Sequence, residues 1–432
     1  MCRAPLLLLA VLAFACGDDD APPDGSSDGG GVDAEVLDGA VADAGRLDGG
    51  EDAGAPDAGA PSCSELLAPR APFAIAPGFR GTQIHPAVVF DGERLWVTFT
   101  AVEEGEGEGR GFDVFVLSLD CAGEVSAPVQ VNAAVEPNDI DGTVAVHGER
   151  VLVAWQADEG TGTIGTVVRA FDRSLAPIGG DRPLTTTRLG EPVLGTTWMP
   201  ELHPRGEDGF LLVGSRGVEA LSTFQVFLQA LDADGEASGE TVEPASVEGA
   251  AQSTPTMLAL GDELHLAWVQ EPQMGNAQGV YLAPGAEAPA PIAPMAVGSG
   301  APSLGAVDGD VVAAIDVGAS RREVRLVALG AGEEARVDRD GKAPWLATRE
   351  GGGAVLYLRG GTGFFAESLH ARPFDWDGES FAVGSEVDVP VGDSVPIPYR
   401  PALVHVEGDV YFAIWSEGTS PDFEVRAAFL AL

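Results

Sequence analysis

The chain has 432 residues and carries 24 Lys and Arg against 67 Asp and Glu, a formal net charge of -43. A field of that sign repels phosphate backbones and anionic lipid surfaces, which argues against a nucleic-acid partner. Beyond the first fifteen residues, no apolar run approaches the length of a membrane-crossing helix.

Residues 1–15 join a basic start at Arg3 to a Leu/Ala-rich stretch from Leu6 to Phe14, the pattern of a secretory signal. The stretch Leu12-Ala13-Phe14-Ala15-Cys16 resembles the lipobox of bacterial lipoproteins, with Ala13 where Leu is commoner. That resemblance implies lipidation of Cys16, attachment to the cell envelope or outer membrane, and membrane contact through the lipid alone. Residues 16–62 consist mostly of Asp, Ala, Gly and Pro and contain no aromatic residue. Such a tract cannot bury enough apolar surface to offset the entropy of ordering, so it is expected to be a disordered acidic tether. Its carboxylates admit Ca²⁺, but no EF-hand-like spacing supports a site, and no other cofactor is expected.

From residue 63 onward one pattern recurs. Its clearest copy runs from His85 to Phe99: a short apolar run, a tight turn at Asp91-Gly92, and a second run with an aromatic near its end. This is a β-hairpin signature. Six more copies begin near Gly142, Pro200, Pro255, Pro302, Pro344 and Pro401. About 370 residues shared among seven copies leave room for four short strands in each. In the first copy these are placed at 87–90, 95–101, 112–119 and 129–132. Helical periodicity is absent. The arrangement resembles an all-β, seven-bladed β-propeller of four-stranded antiparallel blades. It lacks Trp-Asp dipeptides at blade ends, as WD40 repeats carry them, and the Asp boxes of sialidases.

The chain ends give an internal check. The last copy has strands at 402–406, 410–415 and 423–430 and then stops one strand short. Residues 73–76 stand before the first copy, where a fourth strand belongs, and are predicted to pair with the C-terminal strand and close the ring. Cys63 then lies just before the closing strand, and Cys121 lies in the third-to-fourth-strand turn of the next blade. Both fall on one face of neighbouring blades, and a disulfide between them is expected in an exported protein.

No catalytic constellation stands out. From residue 63 onward Gly-x-Ser-x-Gly is absent, the phosphate-loop pattern is absent throughout, and no Cys or His cluster has metal-ligand spacing. Trp96, Trp155, Trp268 and Trp415 recur near the ends of second strands and are expected to pack between blades. His265 and His405 alternate with apolar neighbours and read as strand residues. Arg80, His85, Arg188, Trp198, Tyr399 and Arg400 sit near first-strand starts, where propeller loops reach the axis. They are the candidate lining of a pocket on the face opposite the tether. The acidic insertion 102–110 is expected to form a loop on that same face. The function expected is a monomeric binding or adhesion head for an envelope protein, peptide or glycan. An envelope-assembly scaffold and a glycosidase- or lyase-type enzyme are the rivals, since a fold does not name a function.

Overall fold

The computed structural model describes residues 71–432 apart from 80, 104–110, 121–122, 134–137, 159–163, 185, 189–190, 194–196, 207–208, 219–222, 246–249, 273–275, 296–301, 319–321, 362–364, 393–396, 399–400 and 420–421. The signal, Cys16, the tether, Cys63 and Cys121 all lie outside the described residues.

Seven antiparallel blade sheets follow one another along the chain, each with its strands, here A to D, in sequence order except the last, whose strand D is the N-terminal Phe73–Ala74. Two small two-stranded sheets, Thr186–Arg188 with Glu191–Val193 and Phe365–Ala366 with Ile397–Pro398, lie outside them. Blade 1 is Gly81–Phe90, Arg94–Glu103, Asp113–Asp120 and Val129–Gln130. Blade 5 is Ser303–Val307, Asp310–Val317, Glu323–Ala328 and Glu334–Asp338. In blade 6, Gly341–Arg349, Gly352–Arg359 and Ser368–Trp376 are completed by two short pieces, Phe381–Val383 and Val387–Val389, both paired with strand C. Blade 2 is Asp139–His147, Arg150–Asp158, Ile164–Asp172 and Pro177–Pro183. Blade 3, Thr197–Arg205, Gly209–Val218 and Thr223–Asp232, departs most, since its fourth strand is reduced to bridges of Val242 with Leu228 and of Ala237 with Leu231.

Each A strand touches the A strand of the next blade all the way round, including 402–407 of blade 7 against 81–90 of blade 1. That unbroken circuit makes the molecule a closed seven-bladed propeller with the A strands around its axis. The closure is the one predicted. Phe73 pairs with Ala427 and Ala74 with Arg426, and the Ile75 N–H donates to the Val425 carbonyl at 3.1 Å. Phe73 also stacks on Phe429, with ring centroids 6.2 Å apart.

The core is divided among the seams. Ile75, Phe99 and Phe115 pack with Val425 and Phe429 between blades 7 and 1, and Val312, Leu326, Tyr357 and Phe374 pack between blades 5 and 6. The four repeated tryptophans are all buried, as expected. They are not all at one position, however. Trp155 and Trp268 stand opposite a break in the strand A register, Trp415 lies just past the last strand A pair of its blade, Ala402 with Ile414, and Trp96 pairs regularly with Val89. The Trp96 indole instead donates to the Asp91 carboxylate in the A-to-B turn, at 2.8 Å.

The A strands begin earlier than the sequence suggests, and the reason is physical. In blade 1 the strand starts at Gly81 and passes through a bulge at His85-Pro86. Proline cannot donate to a ladder, so it reads as a strand start, but a bulge removes the need for its N–H. The same register shift recurs at Asp141-Gly142, Met199-Pro200, Thr254-Pro255 and Ala343-Pro344. His85, Asp141, Thr254 and Ala343 take positive φ there, between 47° and 54°. Blade 2 has glycine in place of proline because a Cβ on Gly142 would come within 2.5 Å of Val114 Cγ1 in blade 1.

Candidate functional site

The bulges lie toward the end of the propeller that carries the D-to-A and B-to-C loops. His85 and Asp141, at successive bulges, meet there, with His85 Nδ1 at 2.5 Å from Asp141 Oδ1. Gln156 donates to the other Asp141 oxygen at 2.7 Å, and Thr100 of blade 1 accepts the Asp141 N–H at 3.2 Å. Between blades 5 and 6 a fully buried Asp316 does the equivalent work, accepting the Ala343 N–H at 3.4 Å and facing Arg322 at 3.3 Å. Burial pushes the Asp316 carboxyl up to about 6, against the pull of Arg322. Lys342 beside it donates to the Phe365 carbonyl at 2.6 Å, and burial lowers its pKa. These groups spend their polar atoms on holding one blade against the next.

Of the six residues proposed from sequence as a pocket lining, only His85 has a described side chain. Arg80, Tyr399 and Arg400 lie outside the described residues, as do the side chains of Arg188 and Trp198, whose backbones belong to the strands Thr186–Arg188 and Thr197–Arg205. Residues 104–110 of the acidic insertion lie outside as well. His265 bonds Tyr281 through Nδ1 at 2.6 Å, and His405 bonds the Gly408 carbonyl through Nε2 at 2.9 Å.

A denser constellation lies further out on the seam between blades 5 and 6. A cleft of about 310 Å³ opens there, lined by Arg336, Val337, Asp338 and Arg339 of blade 5 and Arg372 of blade 6. Behind it, Arg359 holds four carboxylate oxygens: it donates to both oxygens of Asp338, and to Glu386 Oε1 at 3.1 Å and Oε2 at 2.7 Å. The Tyr357 hydroxyl and Arg372 also donate to Glu386 Oε2, at 2.7 and 3.1 Å. The Arg359 guanidinium thereby holds the Glu386 carboxyl down at about 2, with Tyr357 and Arg372 adding to it against partial burial. His370 stacks on the Tyr357 ring at 5.6 Å and accepts or donates to Ser368 through Nε2 at 2.7 Å.

No family model matches the chain, and no curated protein matches it. Solved structures do. A protein of unknown function from Dyadobacter fermentans aligns with a TM-score of 0.52 and 10% identity, over 85% of this chain and 99% of its own. The polysaccharide lyase Uly1 aligns with a TM-score of 0.52 and 12% identity, over 83% and 91%. A Trypanosoma rangeli sialidase aligns with a TM-score of 0.42 and 13% identity, over 81% of this chain and 55% of its own. The shared property is the fold.

The arginine cleft was missed by sequence reading, although a signal was there. Residues 321–372 hold nine of the 24 basic residues and only seven of the 67 acidic ones, so this stretch is locally positive in a strongly acidic chain. Arg322 faces Asp316, Arg325 pairs with Glu323 and Glu334, and Arg359 and Arg372 meet Glu386. Arg336 and Arg339 are exposed, and no carboxylate among the described residues pairs with either. The arrangement therefore offers two free guanidinium forks at the mouth of a cleft whose floor is already neutralised.

Proposed function

We propose that this chain is an exported, lipid-anchored propeller that acts as a binding head, and that its ligand is an acidic glycan held in the cleft between blades 5 and 6. The observation that carries the reading is the pair of unengaged arginines, Arg336 and Arg339, beside the half-buried Arg372. Guanidinium groups match carboxylate and sulfate geometry with paired hydrogen bonds, which is the chemistry of acidic sugars. The net charge of -43 repels an anion at a distance. Exposed charges are screened beyond about 8 Å at physiological salt, however, so a ligand group inside the cleft responds mainly to the nearby arginines. The lipobox-like stretch ending at Cys16 supports anchoring, and the acidic tract after it supplies a tether of roughly 35–40 Å root-mean-square span.

The test is retention of the whole chain on immobilised glycans, comparing uronate-containing and sulfated chains with neutral ones and with acidic peptides. Retention is expected on the acidic glycans, weakening as salt rises, with at least a tenfold loss of affinity in an Arg336→Ala/Arg339→Ala double variant. Equal binding by the variant, or preference for the acidic peptides, refutes the assignment. For the anchor, Cys16→Ser is expected to move the protein from the membrane fraction to the soluble exported fraction, as followed by fractionation and fatty-acid labelling. A chain that stays lipid-labelled after that change removes Cys16 from its role.

A further inference from the structure

Three potential ligand atoms converge in blade 6 next to this cleft. His370 Nδ1, on strand C, lies 3.3 Å from Glu386 Oε1 and 2.8 Å from Asp388 Oδ1, and the donor atoms of the three residues all fall within 4.8 Å of one another. The His370 side chain is only 8% exposed. Its Nδ1 is buried, and neither carboxylate contact has hydrogen-bond geometry. A buried imidazole nitrogen thus stands beside two carboxylate oxygens without a hydrogen bond to either. Ligand atoms about 2.0–2.2 Å from a shared metal ion stand roughly 2.8–3.6 Å from each other, a range that includes both separations measured from His370 Nδ1.

The surroundings are those of a held ligand set. Metal-bound histidines commonly engage their second nitrogen with a neighbour that fixes the ring. Ser368 Oγ lies 2.7 Å from Nε2, closer than Arg359 Nη1 at 3.5 Å, so Nε2–H donating to Ser368 leaves the Nδ1 lone pair for an ion. Ligating carboxylates are in turn hydrogen-bonded, and Tyr357 and Arg372 occupy Glu386 Oε2. Oε1 of Glu386 receives one donor, Arg359 at 3.1 Å, which leaves it a lone pair for an ion. Asp388 is 82% exposed, so the site is open to solvent on that side.

We infer that His370, Glu386 and Asp388 form a binding site for a divalent first-row transition metal of the Zn²⁺ class. One imidazole with two carboxylates suits such ions, whereas Ca²⁺ takes oxygen ligands and gains nothing from the ring nitrogen. Three protein ligands leave at least one position for water or for a ligand donor, as in sites that do more than hold a fold together. The inference stands apart from the glycan reading, because its ligands are not the cleft arginines.

The experiment titrates the whole chain, stripped with chelator and free of glycan, with Zn²⁺ alone by calorimetry, and repeats the titration with Ca²⁺ and Mg²⁺. Co²⁺ serves as a spectroscopic stand-in for zinc. The expected result is one tight Zn²⁺ per chain, visible d–d absorption with Co²⁺, and far weaker Ca²⁺ and Mg²⁺ binding. Asp388→Asn should weaken zinc at least tenfold, and His370→Ala should remove the tight phase. Asp388 is at the surface, so its variant keeps the test decisive if the histidine variant does not fold. Absence of tight zinc binding, equal affinity for Ca²⁺, or zinc binding unchanged in Asp388→Asn overturns the site. Because no glycan is present, none of these outcomes bears on the arginine cleft.

Discussion

An Ile75→Asp variant is expected to lose most of the stability that joins blade 7 to blade 1. Ile75 is 1% exposed and packs in the seam cluster that includes Phe99, Phe115, Val425 and Phe429. Removing a buried side chain of this size costs about 2–5 kcal/mol, and placing an unpaired carboxylate in the same space costs more. Ile75→Ala separates the two contributions, since it removes the packing but leaves the Val425 hydrogen bond intact. Urea unfolding should show both midpoints lowered, with the Asp variant the lower. When the closing strand lets go, the edge of Asp422–Ala431 is bared along its outer side. Bare edges recruit other strands, so size-exclusion chromatography of the Asp variant should show higher oligomers. Unfolding free energies within about 0.5 kcal/mol of the parent in both variants would mean that the ring does not depend on its N-terminal strand.

The closure was legible because it rests on a count: a final repeat one strand short and a spare strand before the first leave one economical solution, and Phe73–Ala74 takes it. The inner-strand bulges were not legible. His85-Pro86 looks like a strand boundary by itself, and only pairing with 94–103 shows the strand continuing on both sides of the proline. The tryptophans were legible as core because burial follows residue type, and the distinct place of Trp96 was legible in spacing too: it follows Gly92 by four residues, whereas Trp155, Trp268 and Trp415 follow Gly148, Gly261 and Gly408 by seven. The cleft and the His370 cluster were hidden for a different reason. Arg336 and Arg372 belong to neighbouring blades, and Glu386 and Asp388 reach His370 only after the chain has turned at Asp377–Ser380. Sites assembled across strands leave no short motif. The one residue-level trace was the local excess of arginine after residue 320.

Asp139 gives the largest effect expected from pH. Its side chain is buried between blades 1 and 2, and burial pushes its carboxyl up to about 7, helped by the nearby Asp113 and Asp181 and opposed by Trp155 and Asn132. The other charged group of this cluster, Arg169, lies 3.4 Å from Asp181. An unfolded aspartate titrates near 3.9. Between about pH 4 and pH 7 the folded state therefore holds a proton that the unfolded state has released. Stability then falls as pH rises through that window and levels off above it. Asp139→Asn keeps the volume and removes the charge. At pH 8 it is expected to be more stable than the parent by about 2–4 kcal/mol, a shift of about three pK units at 1.4 kcal/mol each less what relaxation recovers. At pH 4, where the parent's carboxyl is itself neutral, the difference should nearly vanish. Asp316, raised to about 6, titrates in the same direction but does not give the same gain. Its neutral substitute leaves the partly exposed Arg322 without its carboxylate 3.3 Å away and weakens the acceptor of the Ala343 N–H, which offsets the gain. Urea unfolding of both Asn variants from pH 4 to pH 8 separates the cases. Parallel curves for the parent and Asp139→Asn would mean that Asp139 is ionised in the folded protein throughout and that its neighbours stabilise the charge.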